Sequence, residues 1–199
     1  MVKNAKVLKG KDLITIGIFS AIYFVINFAF MLISGFHPLL WILMPSFIAL
    51  FTGIPFLLMC AKVQKFGAVL IMGIITGLLY YVTGQFTLVI LITFVIACGL
   101  GELVRALSRY ESFKGNMISF VCFSLGMTGS PLPIWLMRDS FLAQISEQGM
   151  PVDYVATLEA LSSPAMLIVL FAGPVVGAFL GALISKSMFK KHFRKAGIV

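Results

Sequence analysis

The sequence predicts an all-α integral membrane protein with six transmembrane helices, both termini cytoplasmic, and one amphipathic loop over the outer face. Three observations carry this. Of 199 residues, 60% are hydrophobic and 11% charged, with a mean hydropathy of +1.07. Soluble domains carry about 25% charged residues, and a soluble fold of this length has no interior large enough for so much apolar surface. The apolar runs are long and continuous, unlike the short alternating segments of a β-barrel, so helices that satisfy their own backbone are the structures that can span. The basic residues, finally, fall almost entirely on one side of the resulting topology.

A spanning helix needs about 20 apolar residues. The first span, 13–34, follows a basic stretch from Lys3 to Lys11. It is too long for the apolar region of a signal peptide, no small-residue cleavage site follows, and we read it as a retained helix. The second, 38–60, begins after a turn at His37. The third and fourth, 66–82 and 86–104, are joined by a short polar turn. The fifth, 116–137, ends in "PLPIWLMRDSF". The sixth is 164–186. Loop 138–163 is the one long connection. Tyr154, Val155, Leu158 and Leu161 recur there at near-helical spacing, and Gly149 and Pro151 punctuate it, so it reads as two short amphipathic pieces forming a lid. Residues 1–199 form a single membrane domain.

With both termini inside, 14 of the 15 Lys and Arg residues are cytoplasmic, which accounts for the net charge of +8 without nucleic acid. Anionic lipid or an acidic partner can use the same charge. Arg138 alone lies outside, in a loop that also carries Asp139, Glu147, Asp153 and Glu159. Two readings stand. Arg138 is an interfacial side chain that snorkels to water and pairs with Asp139, or it is a clamp for a ligand arriving from outside.

The chemistry of an enzyme is absent. There is no GxxxxGK[ST] loop, HExxH or GxSxG. His37 and His192 sit on opposite sides of the membrane. Glu102 and Arg105, three apart, form a structural pair rather than an acid–base centre. Cys60, Cys98 and Cys122 lie in apolar segments without metal-ligand spacing and serve packing. We therefore expect no catalytic residue, metal or cofactor, and the near absence of carboxylates in the spans weakens ion-coupled transport.

The remaining polar groups gather toward the outside. An aromatic belt explains the Tyr and Trp residues, but explains Asn27, Gln85 and Arg138 less well. Convergent polar groups in an apolar cup make a small-molecule site, and its candidates are Arg138, Asp139, His37, Trp41, Gln85, Asn27 and Trp135. Small residues four apart recur at Gly17 and Ala21, at Gly73 and Gly77, and along Gly173, Gly177 and Gly181. Such spacing lets helix backbones approach closely. In the third and sixth spans it reads as internal packing.

The stretches "KGKDLITIGIFSAIYFVINF", "RYESFKGNMISF", "PLPIWLMRDSF" and "KKHFRKAGIV", with six spans and no ATPase motif, resemble the MptD-type S components of energy-coupling factor (ECF) transporters. The resemblance runs end to end. It implies a substrate-binding subunit in a prokaryotic cell membrane that captures a vitamin-like micronutrient from outside and works with a transmembrane T subunit and two cytoplasmic ATPase subunits. It also implies T-subunit docking through Gly17 and Ala21, where the family usually has Ala-xxx-Ala. An anionic ligand would be held by Arg138, while haem or a related tetrapyrrole would engage His37. A small secondary transporter without ATPases, and an intramembrane enzyme or assembly factor, are the alternatives.

Overall fold

The computed structural model describes residues 7–83 and 87–189. Every regular element among them is helical: α1 (Gly10–Ser34), α2 (Pro38–Lys62), α3 (Ala68–Val82), α4 (Leu88–Leu107), α5 (Phe113–Ser124), α6 (Pro133–Leu136), α7 (Arg138–Glu147), α8 (Val152–Leu161) and α9 (Pro164–Met188). Four of these, α1, α2, α4 and α9, are long and apolar enough to cross a membrane, and α3 is a shorter apolar helix.

Local chemistry sets most boundaries. Asp12 opens α1 by accepting from the Lys9 amide at 2.7 Å. Pro38 and Pro164 occupy first turns, where a missing N–H costs nothing. Thr87, Ser112 and Ser163 each accept a bond from the amide three residues on.

The fifth predicted span is corrected. Residues 116–137 are not one helix. α5 stops at Ser124 and passes into a 3-10 turn, Leu125–Gly129, and then the four-residue α6. Pro131 and Pro133 lack the N–H that would continue the ladder, and each disfavours helix in the residue before it. Gly126 and Gly129 press against α4. A Cβ on Gly126 would meet the Phe94 ring, and one on Gly129 would enter the Val89–Ile90 backbone. The Thr93 hydroxyl donates to the Gly126 carbonyl at 2.8 Å and satisfies an acceptor that the broken helix frees.

α2 lies at the centre, the most buried of the four long helices. α9 packs along it through Gly173, Gly177 and Gly181, whose missing side chains admit Ser46, Ala49 and Leu50. The internal role expected for these glycines holds in α9. It holds for Gly73 too, which faces Cys98, but not for Gly77, where an added Cβ would meet nothing. The main core gathers Tyr23, Phe56, Tyr80, Phe94, Phe120 and Phe123 from five helices. A second, smaller core lies under α7 and α8, built from Ile42, Ile134, Ile145 and Leu158.

Gly181→Ala places a methyl group against the Leu50 carbonyl, and we expect it to cost about 1–3 kcal/mol, as overpacking does. Gly17→Ala, with open space around it, changes stability by less than about 0.5 kcal/mol. Thermal unfolding in one detergent compares the two, and equal midpoints would contradict the α2–α9 packing.

Candidate functional site

The end of the bundle that carries α7 and α8 gathers five of the seven candidate residues. α8 packs against α2 and α7 packs against α8, so the loop expected as a lid is a helical hairpin seated on the bundle. Trp41 of α2 stacks on Phe141 of α7, with centroids 5.6 Å apart and planes 3° apart. The Trp135 indole donates to the Ser163 carbonyl at 3.1 Å, tying α6 to the start of α9. The Tyr154 hydroxyl donates to the Ser34 carbonyl at 3.4 Å, which fastens α8 to the end of α1. Burial raises the Tyr154 pKa above that of an ordinary phenol, which favours the protonated hydroxyl.

Arg138 does not pair with Asp139. Its partner is Glu159, at 3.1 Å between the first residue of α7 and the last turn of α8. Adjacent residues on a helix point about 100° apart, so Asp139 cannot face its neighbour. It is exposed at the positive end of α7, and no ion pair reaches it among the described residues. The Arg138–Glu159 pair joins the two feet of the hairpin and is about half exposed on both sides. His37 is exposed and is the N-cap of α2, its Nδ1 accepting from the Leu39 amide at 3.1 Å.

Asn27 is placed elsewhere. It is fully buried among α1 and α3, its amide donating to the Tyr23 carbonyl at 3.0 Å and accepting from the Tyr80 hydroxyl at 2.7 Å. Both of its polar ends are thus spent inside the bundle rather than at the mouth. Gln85 lies outside the described residues.

At the opposite end, Glu102 and Arg105 are nearly or fully buried and do not bond to each other. Glu102 accepts from the Gly67 and Val69 amides at 3.0 and 2.9 Å, capping the start of α3 with both oxygens. Arg105 donates to the Val63 and Cys60 carbonyls at 2.7 and 3.3 Å, capping the end of α2, and to Asn116 Oδ1 at 3.1 Å. Each charge sits where a helix dipole favours it. Arg109 and Tyr110 follow with φ of 58° and 64°, a left-handed pair that brings the Tyr110 ring within 5.3 Å of the guanidinium. Asp12, capping α1, also pairs with Lys65 from the α2–α3 connection. The expected structural role for Glu102 and Arg105 is right, but their partners are helix ends.

Two apolar features complete the surface. A groove of about 600 Å³ runs between α3 and α4, lined by Gly73, Ile74, Gly77, Leu78, Phe94 and Val95 among others. On α1, Gly17 and Ala21 lie on an outward face with Ile14, Ile18 and Val25, all three more than half exposed. Sequence reasoning missed the pairings of Tyr80 with Asn27, Asn116 with Arg105, Phe141 with Trp41 and Glu159 with Arg138. Of these, Glu159 had a signal in the acidic composition of loop 138–163.

Residues 10–195 match the family Trep_Strep, described as a hypothetical bacterial integral membrane protein. No curated protein matches the chain, and no solved structure does. The match is to this family rather than to the MptD-type components.

Removing the Glu102 carboxylate leaves two buried amides without acceptors. We expect Glu102→Ala to cost about 2–5 kcal/mol, the sum of two bonds to a charged group less relaxation. Glu159→Gln, at a half-exposed pair, costs less than about 1 kcal/mol. Denaturation in detergent, monitored by Trp fluorescence, distinguishes them. A Glu102→Ala variant as stable as wild type would show that the two amide bonds do not hold the start of α3.

Proposed function

We propose that this chain, which belongs to the Trep_Strep family of bacterial integral membrane proteins, is the substrate-binding S component of an ECF-type importer. In this reading the fifth crossing is made by α5, the 3-10 turn and α6 together. The end rich in Lys and Arg is cytoplasmic, and the α7–α8 hairpin is the outer lid. A vitamin-like micronutrient binds under the lid from outside, and a T subunit with two ATPase subunits drives its release.

The open face of α1 is the observation that carries the reading. A side chain added at Gly17 would meet nothing within 4 Å, whereas those at Gly173, Gly177 and Gly181 would all run into α2. The α9 glycines are consumed by internal packing. The Gly17–Ala21 face remains apolar and exposed, with small residues at its centre, which suits close approach by a helix of another subunit. The lid supports the same reading. Its aromatic underside meets α2 over a small core of its own, and it is attached to α1 by one long hydrogen bond.

An anionic ligand would meet Arg138 already engaged. Its carboxylate would compete with Glu159 for the guanidinium, so capture of the ligand and release of the hairpin's feet would be one exchange. Tetrapyrrole binding would use His37 through Nε2, since Nδ1 holds the Leu39 amide.

Two measurements test this. Gly17→Leu should leave the chain folded and prevent co-purification with T and ATPase subunits from its own host. Normal recovery of those subunits would remove α1 as the docking helix. Once a retained ligand is identified by native mass spectrometry, Arg138→Ala should weaken an anionic one by about ten- to a hundred-fold, the worth of a hydrogen bond to a charged group. Glu159→Gln should strengthen it by up to about five-fold by removing the competitor. Unchanged affinity in both variants would place the ligand away from Arg138.

A further inference from the structure

We propose that the seam between α5 and α9 binds an anionic phospholipid, its phosphate held by Lys114 and Lys186 and one acyl chain lying along both helices. α5 and α9 pack against each other, with the start of α5 beside the end of α9 at the Phe113–Lys186 contact. Lys186 Nζ lies 5.2 Å from the Phe113 ring centroid, and Lys114 is the next residue along α5. Lys114 projects about 100° around α5 from that half-buried ring, and both lysines are exposed at this end of the two helices. Neither has a carboxylate within ion-pair distance among the described residues.

Beneath each lysine runs apolar surface. On α9, Phe179, Leu183 and Lys186 share one stripe by helical spacing, the first two 46% and 44% exposed. On α5, Lys114 and Ile118 are four apart, and Ile118 is 51% exposed. Long basic side chains at helix ends reach up to the headgroup layer while their stems cover apolar surface. A water-soluble polyanion would satisfy the ammonium groups and leave the stripe bare. A phospholipid satisfies both with one molecule.

The charge balance at this end favours an anion. Eight cations among the described residues lie there with three carboxylates. Of the three, Asp12 is held by Lys65 and Glu102 by backbone amides. Attraction of basic residues to anionic headgroups is worth about five-fold in affinity per Lys.

The test uses the purified full chain in detergent, titrated with phosphatidylglycerol or phosphatidylcholine, with bound lipid counted by native mass spectrometry. Phosphatidylglycerol should bind the more tightly at low salt. Lys114→Gln and Lys186→Gln should each lower its affinity by about five-fold, and the double variant by about twenty-five-fold. Lys11→Gln, on α1, should have no effect. Leu183→Gln, which keeps both charges, should also weaken binding, and millimolar inorganic phosphate should not displace the lipid. An unchanged melting temperature of the double variant in phosphatidylcholine shows that it is folded. Lys114→Arg with Lys186→Arg keeps the charge and should retain binding. Equal affinity for the two lipids, an unaffected double variant, or the same loss from Lys11→Gln would overturn the site. Displacement by phosphate would overturn the lipid as its ligand.

Discussion

A single turn of α4 holds the basic end of the bundle together. Glu102 and Arg105 put opposite charges against the start of α3 and the end of α2, and Arg105 reaches α5 through Asn116. Four helices thus meet around two side chains. Burying a charge is expensive unless bonds replace its hydration. Here the replacement comes from backbone groups that any helix end leaves unsatisfied. Bonds to the otherwise orphaned amides and carbonyls of α2 and α3 offset part of the desolvation of the charges, while Arg105 Nη1 is buried without a partner among the described residues. The Asp12–Lys65 pair extends the arrangement to α1, so the connection from 63 to 67 is gripped from both sides.

How much of this was legible depended on whether the signal was local. Continuous apolar runs identified α1, α2, α4 and α9 because hydropathy needs no partner to be read. The caps at Asp12, Thr87 and Ser163 lie at or beside the starts of their helices, a local signal that the hydropathy reading did not use. The fifth element was misread because its apolar residues satisfy a hydropathy window while Gly126, Gly129, Pro131 and Pro133 decide the backbone. Glu102 and Arg105 were recognised as structural, but their partners lie more than 30 residues away in the chain for Glu102, and farther for the Arg105 bonds to Cys60 and Val63. Nothing in a linear pattern distinguishes an i,i+3 pair from two independent caps.

The site at the α7–α8 end shows the same limit in another form. Proximity in sequence pointed Arg138 at Asp139, whereas the fold of the hairpin brings Glu159 to it. Trp41 and Trp135 were legible as interfacial aromatics, and their geometry adds what composition could not: one stacks on the hairpin, the other holds a carbonyl of the following helix. Asn27 was expected at the mouth because an aromatic belt does not explain an amide in the first span. It has two partners, Tyr23 and Tyr80, and both lie within the core.

The glycine contacts between α2 and α9 have a mechanical side. Where backbone rests on backbone there is no side chain to rotate out of the way, so the two helices can neither slide nor twist against each other without losing contact outright. α3 and α4 are separated over part of their length by a groove, and side chains there have room to change rotamer. The bundle is therefore stiff along one wall and compliant along another. Any tilt or rocking imposed at α1 would be taken up on the α3–α4 side, with the α2–α9 wall moving as a plank.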